Sequence, residues 1–109
     1  MAAAFDPTRD HRITRDEATG LVRNFHAQAS AGVHRASAFN RSAFEQLLGQ
    51  AGAAGIRIYL ARHDDGSPTM VMVAVDGEGK DMAGTQSICI QNSTDCPPIC
   101  FGTTLADPL

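Results

Sequence analysis

Ile56-Arg-Ile-Tyr-Leu-Ala-Arg62, then His63-Asp-Asp-Gly-Ser-Pro68, then Thr69-Met-Val-Met-Val-Ala-Val75 is the stretch on which the fold turns. In the first run Ile56, Ile58 and Leu60 alternate with Arg57, Tyr59 and Ala61, the period-two signature of a strand. The middle run is made of turn formers, and the third returns as a second strand. If residue 63 pairs with 69, Leu60 lies beside Met72 and Tyr59 beside Val73. One face of the hairpin then joins Ile58 and Leu60 to Met70 and Met72. The other carries Arg57, Tyr59, Val71, Val73 and Val75. A strand apolar on both faces is normally buried on both. Helices can take the methionine face, so the valine face needs the chain's own tail or another molecule. These five residues are the candidate interface, with Tyr59 beside Arg57 having the composition of an anchor.

The helices come before the hairpin. Thr14-Arg-Asp-Glu17 reads as a capping box, in which the threonine hydroxyl and the glutamate carboxylate each satisfy the other's free amide. Behind it Ala18, Leu21, Val22, Phe25 and Ala29 recur at helical spacing, with Gly32 as the expected stop. Asn40 or Ser42 can cap a second helix that presents Phe44, Leu47, Leu48 and Ala51 to the core and ends before Gly52. Val33 to Phe39 is open between a short helix and an extended connector. After the hairpin, Asp76-Gly-Glu-Gly79 is a turn, and Thr85 to Gln91 reads as a third strand free to pair with either edge. The expected architecture is α+β: two or three N-terminal helices on one face of an antiparallel sheet of two to three strands. Residues 1–13 form a polar arm, 14–91 a single domain, and 92–109 a Cys/Pro-containing tail packed on the domain or on a partner.

At 109 residues the chain is the size of one domain, and 43% hydrophobic residues suffice for one core. A net charge of −3 argues against sequence-independent nucleic-acid binding, which needs a basic surface. The charge is asymmetric. Residues 1–41 carry six arginines against four acids, while residues 42–109 carry Arg57, Arg62 and Lys80 against eight acids. Contact between copies would exploit this asymmetry, and an ordinary solvated surface also explains it. The longest apolar run, Met70 to Val75, is far short of a membrane span. With no charged n-region before Phe5, no secretory leader is expected and the cytoplasm is the expected address. There the three cysteines would be reduced thiols.

The run from Ala38-Phe39-Asn40 through Leu47-Leu48, with Gly55-Ile-Arg-Ile-Tyr59, Val71-Met-Val73, Asp76-Gly77 and Cys96-Pro-Pro-Ile-Cys100, resembles a group of small uncharacterised bacterial proteins. The likeness covers roughly residues 38–100 and implies a recurring unit without assigning an activity. Members often carry Pro-Gly-Cys-Val before the Gly-Ile-Arg-Ile-Tyr strand. Here Ala51, Gly52, Ala53 and Ala54 stand at those positions, so that cysteine is missing and Cys89 is the one available to replace it.

Chemistry concentrates in the tail. Cys96 and Cys100 have a spacing compatible with a zinc pair, to which Cys89 would add a third thiolate. The same two residues are candidates for a redox-active or structural disulfide, and a plain buried Cys89 beside a kinked tail is the simpler account of the residues. His11, His26, His34 and His63 form no motif. The aspartate-rich segments near 64 and 76 suit turns better than calcium loops, since Lys80 sits where a ligand oxygen belongs. Phosphate-loop, nucleophile-elbow and His-Glu-x-x-His patterns are absent. The sequence therefore points to a non-enzymatic module, a homo-oligomer or a partner of another protein, with a cysteine-based metal or redox protein as the alternative.

Overall fold

In a computed structural model describing residues 5–30, 32–82, 84, 87–103 and 105, the chain runs α1 (Arg15–Gln28), β1 (Ala36–Ala38), α2 (Arg41–Leu48), β2 (Gly55–Arg62), β3 (Pro68–Val75), β4 (Cys89–Ile90) and β5 (Thr94–Cys96). The fold is a small α+β one: two helices and two antiparallel sheets, one of order β2-β3-β4 and one pairing β1 with β5. Among the described residues no helix is long and apolar enough to cross a membrane.

The hairpin forms in a register two residues from the expected one. Leu60 faces Met70, Tyr59 faces Val71 and Arg57 faces Val73. The turn sets this. The His63 amide donates to the Ser67 carbonyl at 2.8 Å, Gly66 takes a positive φ of 90°, and the Asp65 carboxylate accepts from the Ser67 amide and hydroxyl. A slip of two leaves every side chain on its expected face, because strand side chains alternate with period two. The third strand pairs with β3 rather than β2 and is limited to Cys89–Ile90. Thr85 and Gln86, at the start of the expected strand, lie outside the described residues.

Met72, Val73, Ala74 and Val75 are all buried, so β3 is enclosed on both faces. On one face α2 lays Ala43 and Leu47 over Met72 and Ala74, with Phe39, Ala53, Ile56, Met82, Ile88 and Ile90 around them. Asn40 caps α2, its side chain accepting from the Ala43 amide, and Gly49 ends it. Because α2 stops at Leu48, its buried side is the line through Ala43 and Leu47. The expected core residues Phe44 and Leu48 stay largely exposed, and Ala51 falls beyond the helix in an exposed turn. On the other face Phe5, from the N-terminal arm, lies against Gly55 and Gly79. A side chain at Gly79 would collide with it.

The capping box of α1 is formed as expected, with Thr14 and Glu17 exchanging hydrogen bonds. The helix ends at Gln28, before Gly32, and buries no residue: Leu21 and Phe25 remain 62% and 50% exposed. The open segment at 33–39 contains β1, and its partner is β5 from the tail, with Ala36 facing Cys96 and Ser37 facing Asp95. Thus part of the tail is ordered strand packed on the chain itself.

Leu47 is fully enclosed and Leu21 is not. Leu47→Ala should cost about 2–5 kcal/mol of stability in denaturant unfolding, whereas Leu21→Ala should stay within about 0.5 kcal/mol.

Candidate functional site

The valine face, expected to be covered by the chain's tail or by another molecule, is covered instead by the N-terminal arm and by residues next to the hairpin. Val73 and Val75 are buried and Val71 is half-buried. Above them, Arg57 Nη1 donates to Asp81 Oδ1 at 2.5 Å, Arg57 Nη2 donates to the Gly79 carbonyl at 2.9 Å, and the Tyr59 hydroxyl donates to Asp81 Oδ2. Asp81 reaches this position because it bridges Val75 across the sheet edge. The hydrogen bond from Tyr59 is the main influence holding the Asp81 carboxyl below its ordinary value, and the same bond raises the Tyr59 phenol. Of the five candidate interface residues, Arg57 and Tyr59 are therefore exposed and mutually braced. Val73 and Val75 serve the chain's own core. The polar cover was missed because Asp81 lies beyond a turn and no spacing rule links it to Arg57.

The cysteines do not converge. Cys96 and Cys100 form a disulfide with a Cα separation of 4.8 Å, while Cys89 is free, exposed and placed opposite Val73 in the other sheet. The expectation of three reduced thiols is thus corrected. The tail folds back on itself, with the Ile99 amide donating to the Asp95 carbonyl at 2.9 Å, and this turn brings the two sulfurs within bonding geometry. With two thiols consumed and the third elsewhere, the donor set does not fit zinc. Among the described residues no group of three or more His, Cys, Asp or Glu side chains is placed to hold a metal ion.

What the fold does assemble is a polar cluster centred on Asp95. Its Oδ1 accepts from the hydroxyls of Ser37 and Ser93, each at 2.6 Å, and His63 Nε2 lies 3.4 Å from Oδ2. A carboxylate only accepts, so it orients the network. Ser93, having given its proton to Asp95, accepts from Thr69, whose oxygen accepts in turn from the Gln91 amide. Burial is the largest influence on Asp95 and pushes its carboxyl up. The hydrogen bonds of Ser37, Ser93, Thr69 and His63 together outweigh it and bring the value down to about 2.

By residue type, Ser37, His34 and Asp95 are the members of a nucleophilic triad. The connectivity is different. His34 Nε2 lies 2.8 Å from the Ala36 carbonyl, which can only accept, so that nitrogen carries the proton. It also lies 2.8 Å from the Ser37 oxygen, and Ser37 hands its own proton to Asp95. The imidazole nitrogen nearest the serine donates rather than accepts, so the serine–imidazole–carboxylate relay of a triad is not formed. A cleft of about 310 Å³ beside the cluster is lined by His34, His63, Asp95, Pro97 and Pro98, among others. The participants lie far apart in sequence, and the one local hint is the hydroxyl-rich Ser93-Thr94-Asp95.

Comparison with protein-family models, with curated proteins and with solved structures finds no match.

The depressed Asp95 carboxyl links acidity to stability. Because folding favours its ionised form, the contribution is complete above the ordinary value of 3.8 and is lost as pH falls through about 2. Asp95→Asn should flatten the dependence of the unfolding midpoint on pH across that window, with a lower midpoint at neutral pH. An unchanged acid slope would place the acid sensitivity elsewhere.

Proposed function

We propose that the chain is a non-enzymatic, self-associating structural module whose second copy joins along the outer edge of β2. The observation that carries this reading is an unprotected edge strand. β2 runs eight residues, pairs with β3 on one side, and has no partner strand on the other among the described residues. The His63–Ser67 bond fixes which backbone groups face outward. In an antiparallel ladder hydrogen-bonded pairs alternate, so Tyr59 and Ala61 bond to β3 while Ile56, Ile58, Leu60 and Arg62 aim their amides and carbonyls away from it. Pro68, which lacks an amide hydrogen, faces Arg62 at one of the non-bonded positions, consistent with that assignment.

Edges of this length usually carry a proline, a bulge or unpaired charge against pairing. Here Arg57 is engaged by Asp81, and Arg62 is the one other charge in the strand. Leu60 is 82% exposed and Ile58 53% exposed, beside the half-exposed Tyr59. A symmetric antiparallel seam that sets Ile58 against Leu60 of the second copy uses every outward residue, because Ile56 then meets Arg62. It makes a continuous sheet of six strands, three from each copy. On one face the two Tyr59 rings lie side by side. On the other, the exposed Ile58 and Leu60 side chains of both copies form one apolar strip. Arg57 lies opposite Ala61, so no like charges meet.

A second reading rests on the Cys96–Cys100 bond. It staples the turn that follows β5, the strand that carries Asp95 and pairs with β1. Two-electron reduction by an external dithiol, itself oxidised to a disulfide, would release that turn and loosen the β1–β5 pair. This makes the chain redox-responsive without a metal.

Ile58→Pro separates the seam from the fold. The substitution removes an outward amide and no internal ladder bond. Sedimentation should show the native chain as a dimer and the variant as a folded monomer. A native chain monomeric at all concentrations, or a folded variant that stays dimeric, would overturn the β2 seam. Dimerisation abolished by reductant alone would instead place the contact under control of the disulfide.

A further inference from the structure

A groove of about 710 Å³ opens between the end of the hairpin and the segment that follows α1. Its walls are Phe25, Val33, Leu60, Ala61, Pro68 and Met70, and its polar lining includes His34, Arg35 and Arg62, with no acid among the described residues. Two of these three side chains are already committed. Arg62 donates to the Gly66 carbonyl at 3.1 Å, and His34 Nε2 is held by Ala36 and Ser37. Arg35 is different. Its backbone amide is anchored to the Cys96 carbonyl at 2.7 Å, while its side-chain Nη1 is buried without a hydrogen-bond partner among the described residues. A guanidinium nitrogen withdrawn from water without an acceptor is costly, and native structures rarely tolerate it. Meanwhile Leu60 and Phe25 hold large apolar surfaces open to solvent at the same place.

We infer that the groove binds a medium-chain fatty acid, its hydrocarbon tail lying on Leu60, Met70, Val33 and Phe25 and its carboxylate accepting from Arg35. Both defects are then answered by one molecule. The tail removes apolar surface from water, and once the Arg35 side chain turns its buried Nη1 into the groove the carboxylate supplies the missing acceptor in the charge-assisted form that arginine favours. The volume lies within the range of small-molecule sites, and an acid-free lining suits an anionic head. The polarity of the site selects against neutral tails, since an alcohol brings the same hydrocarbon with a weaker acceptor. Leu60 belongs to both surfaces, the seam adding outward backbone groups and the groove adding Arg35, so the Ile58→Pro monomer tests this binding apart from the seam.

Titration calorimetry of the full chain with decanoate and with decanol, below their aggregation thresholds, tests this directly. One decanoate should bind per chain, with decanol at least about tenfold weaker, and NMR should place the shifts on the methyl groups of Val33, Leu60 and Met70. Arg35→Gln should lose the preference for the acid while keeping the weak tail binding. If that variant does not fold, the acid-to-alcohol comparison on the native chain still decides. Equal affinity for acid and alcohol, binding seen only once the probe forms micelles, shifts confined to other residues, or no saturable binding would each overturn the assignment.

Discussion

Burying β3 on both faces is the constraint from which the rest of the structure follows. Met72, Val73, Ala74 and Val75 form an unbroken enclosed run, and such a run is stable only between two layers. Of the two helices only α2 buries residues in the core, and the two faces are closed asymmetrically. One face receives α2 through Ala43 and Leu47. The other is closed by Phe5 at one end and by the hydrogen-bonded set of Arg57, Tyr59 and Asp81 over the valines. A charged lid over aliphatic side chains works because the stems of such residues cover apolar surface while their heads stay wet.

That solution leaves β2 half-finished. α2 is only eight residues long and is centred on β3, so it does not reach the exposed side chains of Ile58 and Leu60. α1 is long enough to cover them but buries nothing. The unprotected edge and the open groove therefore have a single origin, a cover sized for the central strand and no wider. The edge leaves backbone groups unpaired and the groove leaves an arginine nitrogen without an acceptor, so the two surfaces call for different chemistry.

The second sheet has its own logic. β1 and β5 are short and would be marginal alone. They are held by the carboxylate of Asp95, which gathers the hydroxyls of Ser37 in β1 and of Ser93 before β5, the latter bonded in turn to Thr69 of β3, and by the disulfide immediately after it. The hydroxyls of Ser37 and Ser93 converge on this acceptor-only group, and Thr69 and Gln91 extend the chain of donors behind Ser93. It ties the tail to the hairpin through His63 and Thr69, so the polar cluster does for the tail what Leu47 does for α2.

Local chemistry was sufficient for the elements themselves. The capping box at Thr14, the alternation from Ile56 to Ala61, the turn residues around Gly66 and the doubly apolar run to Val75 are each decided by neighbours a few residues apart, and they stand as read. The facing of each strand was legible too, because a two-residue slip in register preserves it. What covers each face was not. The choice of Ala43 over Phe44 as a core residue depends on where α2 stops. The closing of the valine face depends on Asp81 and Phe5, and the assembly of Asp95 with Ser37 and Thr69 depends on three segments meeting. Side-chain periodicity is a property of a single segment, whereas burial and hydrogen-bond partnership are properties of the space between segments. Periodicity thus states which surfaces need a partner, and the meeting of distant segments settles which of them find one within the chain.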